Sequence, residues 1–115
     1  MFDINFFENS NGEKPALDFI LNIPDQKLKA KVFRSLKLLE TFGNQLSEPD
    51  SSYLKDGIFE LRTKHGSNIV RTLYFFRKKQ IIIVTNSFIK KTQKTPVKEI
   101  NLAIERKKIY EKKNK

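Results

Sequence analysis

The sequence contains no cysteine and no tryptophan, and His65 is the one histidine in 115 residues. Without cysteine the chain can form no disulfide, no thiolate metal site and no cysteine nucleophile. A lack of cysteine, and hence of disulfides, also fits a cytoplasmic protein, and the cytoplasm is the location we expect. His, Asp and Glu residues nowhere show the spacing of a metal site, so the sequence predicts no metal and no cofactor.

Long hydrophobic segments are also missing. No apolar run approaches the roughly 20 residues of a membrane span, and the first residues lack the basic start and apolar core of a secretory signal. Apolar residues are 38% of the chain, including ten Phe, which favours a folded domain over a disordered chain. The length predicts one domain over residues 1–115, with residues 112–115 as a frayed tail.

Acidic residues are absent from a long central segment, which runs from Arg62 to Lys98. Residues 1–60 contain seven Lys/Arg and ten Asp/Glu, for a net charge of −3. Residues 61–115 contain sixteen Lys/Arg and three Asp/Glu, for a net charge of +13. A one-sided positive charge attracts polyanions. Nucleic acid is therefore the predicted partner, with an acidic protein or a membrane surface as the alternative.

The first half of the chain predicts one strand and two helices. Apolar and polar residues alternate over residues 2–6, which is typical of a strand. Pro15 fits the first position of a short helix. Asp25 is the predicted N-cap of a longer helix, whose apolar residues recur at three- and four-residue spacing and which ends at Gly43. The composition of residues 44–57 predicts a loop.

After residue 57 the spacing of apolar residues changes from helical to alternating. We predict three antiparallel strands, then a basic loop, then a last helix. The strands are residues 58–64, 69–77 and 80–87, the loop is residues 88–96, and the helix runs from residue 96 to about residue 111. This order, β-α-α-β-β-β-α, predicts an α+β fold with an antiparallel sheet and the helices packed on one of its faces.

The turns between these strands predict which side chains share a face. Counting outwards from two tight turns places Arg62 opposite Arg71, and Arg71 opposite Asn86. Glu60 is then a diagonal neighbour of Arg71. The opposite face, which we assign to the helices, carries Phe59, Leu61, Val70, Tyr74, Phe76, Ile81 and Ile83.

Two directly opposed arginines repel each other unless something compensates their charge. A phosphate would do so through bidentate hydrogen bonds, whereas a purely structural network with Glu60 is the alternative. The basic loop adds Lys90, Lys91 and Lys94, which completes a predicted cationic site on this face. Phe88 is either a ring on which an unpaired base stacks or a core residue at the end of a strand.

Three motifs resemble those of HigB-type toxins in the RelE/ParE superfamily. Residues 54–62, LKDGIFELR, resemble the "L-x-dG-l-w-ELR" signature. Residues 71–76, RTLYFF, are similar to the "R-x-x-Y/F-F" strand, and residues 88–96, FIKKTQKTP, to the "F-x-KK-t-q-KTP" loop. With the final helix, the resemblance covers nearly the whole chain and implies a RelE-like fold.

The resemblance implies the toxin of a type II toxin–antitoxin system, an endoribonuclease that cuts messenger RNA on the ribosome and so inhibits translation. It also implies a cognate antitoxin, commonly a HigA-like helix-turn-helix protein, through which the toxin would associate with operator DNA. Two alternatives remain. One is a toxin of the same fold that poisons DNA gyrase, and the other is a non-catalytic basic module that binds RNA or protein.

The resemblance also implies roles for single residues. Arg71 matches the central-strand arginine that contacts the scissile phosphate in such toxins. Lys90 or Lys91 lies at the basic position after the last strand, and Lys94 matches the lysine of the loop motif. With Arg62, these are the predicted catalytic residues. The predicted RNA-binding residues are Arg62, Asn86, Phe88, Lys90, Lys91 and Lys94.

Metal-free cleavage needs a base for the 2′-OH, cations for the developing charge and an acid for the leaving oxygen. The two arginines suit the charge, and a lysine crowded by other cations suits the base or the acid. Glu60 is an alternative base, although orienting Arg71 is its more natural role.

The chain departs from the family pattern at two positions. Asn86 stands where family members often carry histidine, and an amide takes up no proton at neutral pH. Tyr110 is only a rough counterpart of the catalytic tyrosine of some relatives. We expect His65 to be a turn residue, at the end of the sheet far from the basic loop, and Tyr74 to be a core residue.

Overall fold

A five-stranded sheet with three α-helices forms the part of the chain that the structure, a computed structural model, describes: residues 1–91 and 93–115. Residue 92 of the predicted basic loop lies outside the described residues. The elements are β1 (Asp3–Phe6), α1 (Pro15–Leu21), α2 (Gln26–Phe42), a 3₁₀ turn (Gly43–Gln45), β2 (Ser51–Lys55), β3 (Ile58–His65), β4 (Asn68–Arg77), β5 (Ile81–Ile89) and α3 (Val97–Lys113). The α+β class is confirmed.

Both ends of α2 follow from local chemistry, as predicted. The Asp25 side chain accepts hydrogen bonds from the backbone N–H groups of Lys27 at 2.9 Å and Leu28 at 3.2 Å. Gly43 ends the helix with a φ of 50°, a conformation that side chains with a Cβ avoid. A Cβ at this position would also collide with the Phe2 ring. Glycine is therefore required here for both conformation and space.

Strand β2 lies in a segment that we predicted to be a loop. It pairs with β3 through an antiparallel register that a bulge interrupts between Tyr53 and Lys55. The two-residue turn between the strands is Asp56-Gly57, with φ angles of 51° and 84°. Asp-Gly with two positive φ angles is typical of a type I′ hairpin turn. The sequence therefore contained a hairpin signal, which the polar composition around it obscured.

The predicted register of β3 against β4 is confirmed, because Arg62 lies opposite Arg71. The predicted register of β4 against β5 is wrong, since Arg71 lies opposite Phe88 and Leu73 lies opposite Asn86. Two features cause the shift. The connection is three residues long rather than two, and a bulge follows between Leu73 and Tyr74.

The longer turn acts at the start of β5, and the bulge acts near the middle of the strand. The longer turn moves Ile81 and Ile83 to the face opposite the one we predicted, because one extra residue reverses every side chain of a strand. The bulge reverses the strand again, so that Asn86 still shares a face with Arg71. The predicted face was therefore wrong for the first half of β5 and right for the second.

The helices cover both faces of the sheet, which corrects the prediction that they pack on one face. Helices α1 and α2 pack against Leu61, Val70, Tyr74, Ile82 and Val84. Helix α3 packs through Ala103 against Ile58, Leu73, Phe75, Ile83 and Phe88 on the other face. Alternate residues of β4 are apolar on both faces, and a strand with two apolar faces must be covered twice.

The two edges of the sheet and the chain's end complete the fold. Strand β1 lies parallel to β5 at one edge, so the sheet is mixed rather than antiparallel throughout. Helix α3 continues to Lys113, so two of the four predicted tail residues are helical. Across the described ranges, no helix has the length and apolarity needed to cross a membrane.

Candidate nucleic-acid interface

Glu60 connects the two arginines that the sequence placed opposite each other. Its Oε2 accepts a hydrogen bond from Arg62 Nε at 2.7 Å and another from Arg71 Nη1 at 3.1 Å. The three residues lie on the α3 face of β3 and β4. A shared carboxylate offsets the repulsion between the two guanidinium groups. The predicted contact between Glu60 and Arg71 is thus present in the structure.

Burial of this network differs from the prediction of an open cationic face. Arg71 is 1% exposed and Glu60 is fully buried, and Thr95, just before α3, hydrogen-bonds the buried carboxylate. Buried charges require paired, hydrogen-bonded partners, and Glu60 supplies one. Arg71 therefore lies beneath the surface rather than on it.

Arg62 lies at the rim of the network, with 22% of its side chain exposed. Its Nη1 donates to Glu48 Oε1 at 2.7 Å, so the guanidinium bridges a buried and an exposed carboxylate. This hydrogen bond lowers the pKa of Glu48. Sequence reasoning missed Glu48, because it lies in the segment predicted as a loop, 14 residues before its partner, where no periodicity indicates a contact.

Two hydrogen bonds attach the predicted basic loop to the sheet, one of them at the buried carboxylate. At its start, the Lys90 N–H donates to the Ile69 carbonyl oxygen at 3.0 Å. At its end, the Thr95 hydroxyl donates a hydrogen bond to Glu60 Oε1, and Thr95 is 8% exposed. Sequence reasoning also missed Thr95. Its position in the K-T-P motif was the available signal.

The three lysines of this loop lie at the surface. Lys90, Lys91 and Lys94 are all exposed, whereas Thr95, the next residue after Lys94, is buried. We name the described residues 90, 91 and 93–95 the lysine loop. The structure thus places the predicted lysines at the surface, on a loop that is linked to the predicted arginines through Thr95 and Glu60.

Asn86 and Phe88 belong to the interior. The Asn86 amide donates to the Glu99 backbone oxygen at 3.2 Å and to its Oε1 at 3.0 Å, and its Oδ1 accepts from Thr85 Oγ1 at 2.6 Å. It therefore connects β5 to the first turn of α3. Phe88 is 8% exposed and packs in the core under α3, which was the second of the two roles that the sequence allowed.

The two tyrosines that the sequence analysis considered lie away from the lysine loop. Tyr110 packs its ring against Phe75 at 5.8 Å between ring centroids, near the other end of α3. Tyr74 is a core residue, as predicted: its hydroxyl shares a 2.6 Å hydrogen bond with Ser51, and burial raises its pKa.

The expected position of His65 is wrong in one respect. It ends β3 at the hairpin, as a turn-flanking residue, but at the same end of the sheet as the lysine loop, because Ile69 bonds to Lys90. The side chain turns to the other face, where its Nε2 lies 3.7 Å from Asp25 Oδ2 at the start of α2. His65 is therefore separated from the lysine loop by the sheet.

The described residues hold no group of three or more His, Cys, Asp or Glu side chains arranged to bind a metal ion. The chemistry that this site offers is cationic. Three exposed ammonium groups and one partly exposed guanidinium suit the phosphates of a nucleic acid.

Comparison with known proteins agrees with the motifs. The model of one family, described as "Phage derived protein Gp49-like", matches residues 18–108, which include the two arginines, the lysine loop and most of α3. No curated protein shows significant similarity to the chain. The family match covers most of the sequence and confirms the predicted relation to RelE/HigB-like toxins. The chain belongs to the phage-derived Gp49-like family, a family of toxin–antitoxin toxins.

Proposed function

We propose that the protein is the HigB-type toxin of a type II toxin–antitoxin system and cuts messenger RNA on the ribosome. The observation that carries the proposal is the lysine loop. Lys90, Lys91 and Lys94 are exposed on a loop whose Thr95 hydrogen-bonds Glu60 of the buried arginine network, in a chain of a toxin family. A concentrated positive surface of this kind suits a phosphate backbone.

The lysines and Arg62 are the groups that can reach RNA. The lysines bind its phosphates, and the exposed part of Arg62 stabilises the negative charge that develops during cleavage. Arg71 is too deeply buried to touch a phosphate in this conformation. We therefore assign Arg71, together with Glu60, the role of holding Arg62 and the lysine loop in place.

The proposed reaction uses the RNA's own 2′-OH as nucleophile. The 2′-oxygen forms a bond to the adjacent phosphorus, and the bond from phosphorus to the 5′-oxygen breaks. One amine of the lysine loop takes the proton of the 2′-OH, and a protonated lysine gives a proton to the leaving 5′-oxygen. The ribosome supplies orientation, which by itself is worth several kcal/mol.

The toxin family implies a cognate antitoxin. We propose that this antitoxin is a HigA-like helix-turn-helix protein, that it links the toxin to operator DNA, and that the toxin acts in the cytoplasm, where ribosomes and messenger RNA are found.

Cell-free translation with the purified protein tests this function. We expect messenger RNA fragments that end at codon boundaries, and none without ribosomes. The variant Lys90→Ala/Lys91→Ala/Lys94→Ala should lose cleavage. Its matched control, Lys112→Ala/Lys113→Ala/Lys115→Ala, removes the same charge from the end of the chain and should cleave normally.

Two other results would contradict the proposal. Intact messenger RNA with normal translation and gyrase-dependent DNA breaks in cells would indicate a gyrase poison. Binding of RNA without cleavage under any ribosomal condition would indicate a non-catalytic module.

A further inference from the structure

The lysine loop is attached to the sheet at both ends, and the second attachment uses the buried carboxylate. Glu60 uses both oxygens: Oε2 holds Arg62 and Arg71, and Oε1 accepts the Thr95 hydroxyl. Thr95 follows Lys94 directly and precedes Pro96, the N-cap of α3. The lysines therefore lie on a short segment between a backbone hydrogen bond at Lys90 and a side-chain hydrogen bond at Thr95.

We propose that Thr95 is a positioning residue, which fixes the lysine loop over the arginine network through its hydrogen bond to Glu60. The inference deepens the proposed function and rests on it, because the lysines are taken as the RNA contacts. Thr95 itself is buried and touches no RNA.

Chemistry and connectivity both support this role. Hydrogen bonds to ionised groups are roughly twice as strong as neutral ones, and a buried carboxylate that loses a donor is left under-solvated. One carboxylate also fixes the rim guanidinium of Arg62 and the end of the loop at the same time. The spacing between the guanidinium and the ammonium groups is thereby set before RNA binds, which lowers the entropic cost of binding.

Limited trypsin digestion measures the attachment directly. Trypsin cleaves after lysine and arginine, so cleavage after Lys90 and Lys91 reports on the loop, and cleavage after Lys78 and Lys79 in the exposed turn between β4 and β5 is the internal reference. Cleavage after Arg71, which is 1% exposed in β4, is the control for global unfolding. Thr95→Val keeps the shape and removes the donor. We expect it to raise the ratio of loop to turn cleavage about tenfold, the equivalent of one charged hydrogen bond. Thr95→Ser should restore the wild-type ratio.

Binding of a fluorescein-labelled single-stranded RNA oligonucleotide is the second readout. Thr95→Val should weaken binding at least several-fold, and Thr95→Ser should restore it, which a loss of core packing alone would not produce, because serine removes the methyl group and keeps the hydroxyl. An unchanged tryptic ratio in Thr95→Val would overturn the proposal. So would a loosened loop that binds the oligonucleotide as tightly as wild type, or a wild-type protein that does not bind it.

The outcome is separable from that of the proposed function. Absence of cleavage on ribosomes, with both Thr95 readouts as expected, would overturn the nuclease and leave the positioning role of Thr95 standing. If wild type and Thr95→Val cleave with the same kcat and the same KM, the proposed nuclease stands and the positioning role of Thr95 is overturned.

Discussion

Glu60 illustrates how one buried side chain determines what its neighbours can do. Its carboxylate is fully buried, yet it accepts hydrogen bonds from two guanidinium groups and one hydroxyl. Taking these charges out of water is costly, and the cost is recovered only while all partners are present. The network therefore contributes less to net stability than to the placement of Arg62 and Thr95.

Replacing one member should reveal this dependence. Glu60→Gln keeps the volume and removes the charge, which leaves the Arg71 guanidinium buried without its carboxylate. We expect a loss of about 3–5 kcal/mol in the free energy of unfolding, measured by urea denaturation. Glu48→Gln, which removes the exposed carboxylate of Arg62, should change stability little.

A double variant keeps this prediction testable if Glu60→Gln alone fails to fold. Adding Arg71→Met removes the uncompensated charge, so Glu60→Gln/Arg71→Met should be more stable than Glu60→Gln. A double variant that is the less stable of the two would show that the charge pair is not the source of the loss.

Among the elements, α2 depends on the charge of its N-cap. The backbone hydrogen bond from Leu28 is the main cause that lowers the pKa of Asp25 below its ordinary value of 3.8. A lowered folded-state pKa means that the cap adds stability above the unfolded value and loses it as the pH falls through the folded value. Acid should therefore weaken the start of α2 below about pH 4.

Asp25→Asn isolates this effect, because asparagine caps helices as well as aspartate does and has no proton to gain. We expect the difference in melting temperature between wild type and Asp25→Asn to change in favour of the variant as the pH is lowered from 6 to 3. Parallel melting curves at every pH would contradict the assigned role of the cap charge.

The contact between β5 and α3 depends on Asn86. Asn86 is 4% exposed, and its amide hydrogen-bonds both Glu99 and Thr85. Asn86→Ala leaves buried polar groups without their partner, so we expect a loss of about 1–3 kcal/mol in unfolding free energy. Asn101→Ala, on the exposed side of α3, is the control and should be close to neutral. Equal losses in the two variants would remove the special role of Asn86.

Some elements of the fold could be predicted from the sequence, and others could not. The caps of α2 and the pairing of Arg62 with Arg71 follow from chemistry within a few residues, and they were predicted correctly. Strand β2 is an edge strand that pairs on one side only, so its sequence has a weak strand pattern. The bulge in β5 has no local signature, and the register of Asn86 could not be predicted without it.

The candidate site, too, could be predicted from the sequence only in part. Composition and motifs were sufficient to place the lysines and arginines at one end of the sheet. They did not indicate that Arg71 would be buried, because burial depends on where α3 and the lysine loop return to the sheet. The contact of Thr95 with Glu60 spans 35 residues, and no pattern within either segment predicts it.

For the whole molecule, the distribution of charge matters more than the net charge of +10. The second half of the chain, with a net charge of +13, supplies the lysine loop, and the loop lies at the surface where RNA phosphates can approach it. Each phosphate that a protein contacts releases counterions from single-stranded nucleic acid, so binding weakens with salt in proportion to the number of contacts.

This proportion allows the RNA contacts to be counted. With Lys90, Lys91 and Lys94 each contacting one phosphate, their triple replacement by alanine should lower the slope of log affinity against log salt by about 2, since each contact contributes about 0.7. The triple variant at Lys112, Lys113 and Lys115 has the same net charge and should keep the wild-type slope. Equal changes in both variants would mean that RNA binding depends on net charge alone, and the lysine loop would then not be the binding site. A loop variant with an unchanged slope would place the phosphate contacts elsewhere on the protein. Affinity titrations at four or more salt concentrations, with one labelled oligonucleotide, distinguish these outcomes.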